Sequence, residues 1–283
     1  MAGGAANDLE RDHKTDYVTP VAAWRIVGKI AQQVRAGPAR ISVTESEPDT
    51  RPGPERDGVQ TGEKIRRFYE ALLAAYGPQG WWPADTPFEV AVGAVLTQNT
   101  AWRNVERAIA NLRREGLLSP EALARVDAER LAACLRPAGY FRIKAGRLKN
   151  FIRLLTERFG GRLEDLFALS TSELRETILG VSGIGPETAD SIVLYAAHRP
   201  VFVVDTYTAR VLHRHGLAEQ DATYADLQEL MQSSLPDDVE VFQEYHALLV
   251  AVAKRHCKKR RPVCPGCPLE PFLEEGQPVT PMW

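Results

Sequence analysis

The 283-residue sequence is poor in cysteine, with four in all and three of them inside the last 27 residues. Four are too few for a disulfide scaffold at this length, and such clustering points to metal ligation before cross-linking. No apolar run approaches the ~18 residues that cross a bilayer, so a membrane-spanning chain is not expected. The first twenty residues, MAGGAANDLERDHKTDYVTP, lack the apolar core of a signal peptide, so the expected location is cytoplasmic. An excess of one charge is missing too. With 35 Lys and Arg against 37 Asp and Glu, a generally polybasic protein is excluded, and any nucleic-acid contact must be local. What is present, 44% hydrophobic and 25% charged residues, suffices for a sizeable core in one large domain or two small ones.

Residues 1–60 stand apart. Gly3, Gly4, Pro38 and the stretch ESEPDTRPGPERDGVQ (45–60) combine turn formers and charge with almost no large apolar side chains, which predicts a disordered tail. Within it, VAAWRIVGKIAQQVR (21–35) has helical spacing and reads as a transient helix or as an arm that binds DNA or a partner. From Gly62 onward apolar residues recur at three and four, in stretches covering 64–77, 88–116, 120–136, 144–160 and 171–181. Gly77-Pro78, Gly116 and Gly160-Gly161 mark stops, while Ser119 and Ser170 mark N-caps. The run Pro200–Val204 is strand-like but too isolated to imply a sheet. The expected fold class is all-α, with about ten helices.

The most informative stretch is LGVSGIGPETADSIVLYAAH (179–198). A helix ends at Leu179, Gly183 and Gly185 permit positive φ and close approach, and Pro186 opens the next helix. The N–H groups and dipole at that helix start form an anion site suited to a DNA phosphate. The longer run VSGIGPETADSIVLYAAHRPVFVVDTYTARVLHRHG resembles the helix-hairpin-helix and Gly/Pro-Asp signature of the endonuclease III superfamily of DNA glycosylases. GAVLTQNTAWRNVERAI (93–109) and RPAGYFRIKAGRLKNF (136–151) extend the resemblance at the expected order and spacing, from about Phe68 to Cys267. Trp81-Trp82-Pro83, an aromatic at 102, and Arg136-Pro137 before Gly139-Tyr140 are similar to the bacterial 3-methyladenine glycosylases of endonuclease III type.

The resemblance implies a two-lobed fold with DNA in the cleft. Residues 85–210 would form a helical barrel lobe containing the hairpin, and 61–84 with 211–283 a second lobe carrying the cysteine loop. It implies a monomeric base-excision repair enzyme, associated with the nucleoid, that binds double-stranded DNA bearing a damaged base. An alkylated purine is the first expectation; an oxidised-pyrimidine or mismatch glycosylase, or a non-catalytic damage-binding paralogue, are the alternatives.

Asp205, between VFVV and the helix from Thr206, is a good N-cap on its residue type alone. The resemblance also places it on the family's catalytic aspartate, where a carboxylate would stabilise the oxocarbenium-like transition state of glycosidic cleavage and orient water. Glycosylase/lyases of the superfamily carry a Schiff-base Lys two residues after the second hairpin glycine; here that residue is Glu187. A carboxylate forms no imine, so a monofunctional enzyme is expected, unless another Lys supplies the amine. A flipped base needs stacking partners, and three of the five tryptophans, Trp81, Trp82 and Trp102, fall within 22 residues; core packing is the alternative for each. Gln98 matches a residue that fills the gap left by the flipped base, with capping or packing as its alternative. Gly183, Ile184 and Gly185 are expected at the phosphate, and Arg142, Lys144 and Arg147 along the backbone path or on a solvated face.

Cys257, Cys264 and Cys267, in x6 and x2 spacing, match the first three ligands of the [4Fe–4S] loop of endonuclease III. The fourth position is Leu273, no Cys or His follows it, and Cys134 reads as a core residue elsewhere. An absent or labile cluster, a cluster with an unusual fourth ligand, and a zinc site using His256 all stay open. Around these cysteines Lys254, Arg255, Lys258, Lys259, Arg260 and Arg261 form the one dense basic run, the expected phosphate-binding patch.

Overall fold

The computed structural model describes residues 54–279, which hold twelve α-helices and no strand. Helix α1 (Pro54–Tyr76) starts before the tail boundary expected at residue 60, because residues 54–60 extend it at its N-terminus. Once a helix is nucleated, each added residue gains a hydrogen bond, and Pro is tolerated in the first turn. The expected helix at 21–35 lies outside the described residues. Ile65, Phe68, Tyr69 and Leu72 recur at three and four along α1 and are fully buried, each contributing about 1.5–3 kcal/mol.

Two stretches that read as single helices are each broken. Residues 88–116 divide into α2 (Pro87–Thr97) and α3 (Trp102–Arg114), because Asn99 turns left-handed at φ 53° and Ala101 re-enters extended. Asn tolerates that conformation, so a break occurs where hydrophobic period continues. Residues 120–136 divide into α4 (Pro120–Arg125) and α5 (Ala128–Leu135), since the Asp127 carboxylate accepts the Arg130 N–H at 2.8 Å and starts a new helix. Then follow α6 (Phe141–Phe159), α7 (Leu163–Phe167) and α8 (Thr171–Leu179), the last opened by a Ser170/Glu173 capping box. Helix α9 (Pro186–Ser191) widens into a π turn, Ile192–Ala196; α10 (Thr206–Arg214), α11 (Tyr224–Ser234) and α12 (Val239–Arg255) complete the order.

Helices α2, α3, α5 and α6 pack on one another, whereas α1 lies on α11 and α12, and α10 on α12. The π turn touches both α2 and α12 and so stands where the two groups meet. π turns of this kind recur at functional sites.

The strand-like run Val201–Val204 is buried and extended but pairs with no strand. Side chains of α11 satisfy its backbone instead: Gln232 accepts the Phe202 N–H at 2.9 Å and Gln228 donates to the Phe202 carbonyl at 2.7 Å. The same helix secures the hairpin. Asp190 on α9 is fully buried, paired with Arg175 of α8 at 2.6 Å, and accepts from Tyr224 and Gln228 at 2.7 Å each.

Candidate functional site

Between α8 and α9 the chain makes the short link Gly180–Gly185. Gly183 has φ +92°, and a Cβ there would lie 2.5 Å from the Arg147 Cγ, so glycine is required twice over. Gly185 is extended, at φ −96° and ψ 178°, so positive φ explains only the first of the two glycines. Gly183 and Gly185 are exposed, while Ile184 is buried and its N–H donates to the Val181 carbonyl. The Ile184 side chain therefore anchors the link in the core and is not itself offered to a phosphate. Gln98, from the break after α2, donates to the Gly183 carbonyl at 3.2 Å and to Thr188 Oγ1 at 2.9 Å, and accepts from Arg147. Lys144 also departs from expectation: it is buried, its ammonium donates to the Leu96 and Ala138 carbonyls, and desolvation pulls its pKa down to about 8. Arg142 is exposed and pairs with Glu129.

Asp205 does cap α10, accepting the Tyr207 and Thr208 N–H groups at 2.9 and 2.8 Å with Oδ1. Its other oxygen, Oδ2, lies 3.5 Å from Nε2 of the buried His246. Burial alone would raise the Asp205 carboxyl; His246 and the helix-start donors outweigh it and hold the group below the usual carboxylate range. On the other side of His246, Nδ1 meets the Tyr195 hydroxyl at 2.7 Å. The same hydroxyl also reaches the Gln243 carbonyl, 3.3 Å away. Tyr195, carried by the π turn, continues into an aromatic wall, since its ring is 5.1 Å from Trp82, and Trp82 is 5.1 Å from Trp102, nearly perpendicular. Both indoles lie over Gly93 of α2, where a Cβ would be in ordinary contact with them at 3.4–3.5 Å.

Carboxylate and aromatics are thus joined through Tyr195 and His246, neither of which composition or motif singled out. A buried His 41 positions after the Asp carries no local signal; the nearest one is the Tyr195 hydroxyl in an otherwise apolar helix run. Trp81 extends the wall edge-on, 6.4 Å from Trp82 and nearly perpendicular to it, has Lys254 Nζ 5.5 Å from its ring, and borders an open hollow with Trp82, Tyr195, His198 and Gln243. Glu187, in the first turn of α9, feels Asp205: desolvation first and that negative charge second push its carboxyl up, with His246 acting against them. Tyr140, at the left-handed start of α6, is 68% exposed and Ile143 one turn on is 55% exposed, an apolar pair in solvent.

At the C-terminal end Lys258, Lys259, Arg260 and Arg261 are exposed. The buried Arg214 holds their backbone, donating to the Lys258 and Lys259 carbonyls at 2.8 Å and to Cys257 Sγ at 3.2 Å. Cys257, Cys264 and Cys267, all free thiols, line one hollow with Leu273. Burial raises the Cys264 and Cys267 thiols. Among the described residues no three His, Cys, Asp or Glu side chains are grouped to hold a single metal ion, and His256 Nδ1 lies 3.1 Å from the Val263 carbonyl. Cys134 is buried in α5, as expected of a core residue.

Residues 92–237 match the pattern of the HhH-GPD superfamily of base excision DNA repair proteins. A Methanocaldococcus jannaschii protein whose name assigns it to the DNA repair glycosylases is 46% identical over 211 residues, 74% of this chain and 96% of its own. Endonuclease III of Thermotoga maritima is 30% identical over 188 residues, 66% of this chain and 83% of its own. Among solved structures, the Helicobacter pylori 3-methyladenine DNA glycosylase bound to 1,N6-ethenoadenine superposes with a TM-score of 0.60 at 27% identity, covering 69% of this chain and 97% of that one. Among the described residues no helix is long and apolar enough to cross a membrane.

Proposed function

Because the chain belongs to the HhH-GPD superfamily of base excision DNA repair proteins, we propose that it hydrolyses the N-glycosidic bond of an alkylated purine in duplex DNA and leaves an abasic site without cutting the strand. The observation that carries this reading is the contiguous path from the Asp205 carboxylate through His246 and Tyr195 to the perpendicular pair Trp82 and Trp102. A cationic methylated purine is attracted to indole faces, and stacking there would bring its C1′ towards the carboxylate. As the C1′–N bond breaks, its electron pair leaves with the base and positive charge grows on the sugar. Asp205, held ionised, stabilises that charge, and water completes the displacement. A base that already carries positive charge departs neutral, so little acid assistance is needed.

Glu187 supports the monofunctional reading, because it occupies the turn beside Asp205 where a lyase needs an amine. Gly183 and Gly185 offer exposed backbone at the helix start for a phosphate, and Lys258, Lys259 and Arg260 suit further phosphates. Gln98 is poised beside the hairpin, and Tyr140 with Ile143 suits an apolar wedge against the opposite strand.

The test incubates the protein with duplexes carrying 3-methyladenine, 1,N6-ethenoadenine, thymine glycol or a G·T mismatch, with and without alkali and borohydride. Release of the alkylated purine, strand breaks only after alkali, and no borohydride adduct are expected. An adduct or direct strand cleavage overturns the monofunctional reading, and release of the pyrimidine lesions alone overturns the substrate class. Asp205→Asn should lower base release by about 10³-fold with DNA binding kept; a fully active variant removes Asp205 from the chemistry.

A further inference from the structure

The loop after α12 carries three thiols whose spacing resembles a cluster loop, but the fourth position is Leu273. Cys257, Cys264, Cys267 and Leu273 line the same hollow, and so does His215, from the residue just after α10. No three of these donors converge on a single-ion site, yet all four residues line one hollow. Thiols set around a space suit a polynuclear iron–sulfur group better than one tetrahedral ion. Arg214, donating to Cys257 Sγ at 3.2 Å, places a buried cation against a thiol, which offsets the negative charge of a thiolate-bound core.

His215 is 6% exposed, and its Nδ1 is buried with no hydrogen-bond partner. A buried nitrogen left unpaired costs about 1–3 kcal/mol, a cost that a ligand bond at that nitrogen would offset. Its ring lies 4.8 Å from Phe68, and Phe68 lies 5.0 Å from Phe272, the neighbour of Leu273. His215 therefore stands beside the place where the resembling loop has its last cysteine. Imidazole is an established ligand of iron in iron–sulfur centres.

We propose that His215 Nδ1 is the fourth ligand, with Cys257, Cys264 and Cys267, of a [4Fe–4S] cluster in this chain. With His215 counted, the donor set fits the group. The cluster is structural in this assignment: it ties α10 to the basic loop and takes no part in base release, so the proposal stands apart from the glycosylase reading.

The full-length chain, purified anaerobically and reconstituted with ferrous iron and sulfide, is the test. About four iron and four sulfide per chain are expected, with visible absorbance near 400 nm. Pulsed EPR of the dithionite-reduced protein should show a nitrogen coupling that changes when histidine is labelled with nitrogen-15. His215→Ala should lose that coupling and drop one iron under mild ferricyanide, giving the signal of a three-iron core. His215→Cys should keep about four irons without nitrogen coupling. Failure of the wild type to assemble a cluster, binding of a single zinc ion in its place, or a cluster with no histidine coupling overturns the proposal. If His215→Ala does not fold, the isotope measurement on the wild type still decides.

Discussion

Asp190 and His215 are both buried polar side chains, but they stand in opposite surroundings. The Asp190 carboxylate receives four hydrogen bonds, from Arg175 twice, Tyr224 and Gln228, and so ties three helices around the hairpin. His215 Nδ1 receives none. The hairpin end is complete within the polypeptide, its buried carboxylate paired and its strained glycine demanded by a neighbour. The C-terminal loop is held by one arginine and by aromatic contacts through Phe272, around thiols that face a space. One region is finished by its own side chains; the other leaves a buried nitrogen without a partner and three free thiols bordering a hollow.

The sharpest way to break this comparison is to truncate a charge in each region. Asp190→Ala leaves Arg175 facing a buried void and should cost about 3–5 kcal/mol in denaturant unfolding. Glu274→Ala removes the exposed partner of Lys64, 3.5 Å away, and should cost under about 1 kcal/mol. Equal losses would mean that the loop is as self-sufficient as the hairpin.

Much of this contrast lay beyond reach of the sequence, for a physical reason. The hairpin is written in local chemistry, Gly183, Pro186 and the Ser170 cap, and each acts within a few residues of itself. Asp190 instead finds its partners 15, 34 and 38 positions away, and a lone acid in a helical pattern reads as a solvent-facing one. His246 and Tyr195 are hidden in the same way, 51 residues apart. Periodicity runs straight through the breaks at Asn99 and Asp127, because apolar spacing does not register a single left-handed or capping residue. Lys144 reads as a surface base in the sequence, whereas in the fold the Leu96 and Ala138 carbonyls claim its ammonium. In the loop the cysteine spacing is legible, but the ring that faces it comes from the end of α10, 42 residues before Cys257.

A second test asks how far the hairpin side depends on its buried relay. The Asp205 carboxyl is held low against its burial mainly by His246. A carboxyl whose folded value lies below its unfolded one adds stability above the unfolded value, and that contribution is lost as pH falls through the folded value. His246→Gln weakens the hold, so the carboxyl rises and the acid limb of kcat/KM moves to higher pH. A rise of one pH unit costs about tenfold in rate on the acid side of the profile and almost nothing at neutral pH. Conversion to a uniform loss at every pH would make His246 a packing residue only.

The smallest expected effect separates the two regions by how each would meet DNA. Exposed cations release counterions when they neutralise phosphates, whereas backbone N–H groups at a helix start carry only partial charge. Replacing Lys258, Lys259 and Arg260 by Ala should lower affinity a few-fold near physiological salt and flatten the logarithmic salt dependence by about 0.9 for each phosphate that is no longer neutralised. Gly183→Ala, which forces a Cβ to within 2.5 Å of Arg147 Cγ at φ +92°, should weaken binding while leaving that slope almost unchanged. Titrating both variants against one duplex at several salt concentrations separates the two. A change of slope in the hairpin variant, or none in the loop variant, would place the charged phosphate grip at the opposite end of the cleft.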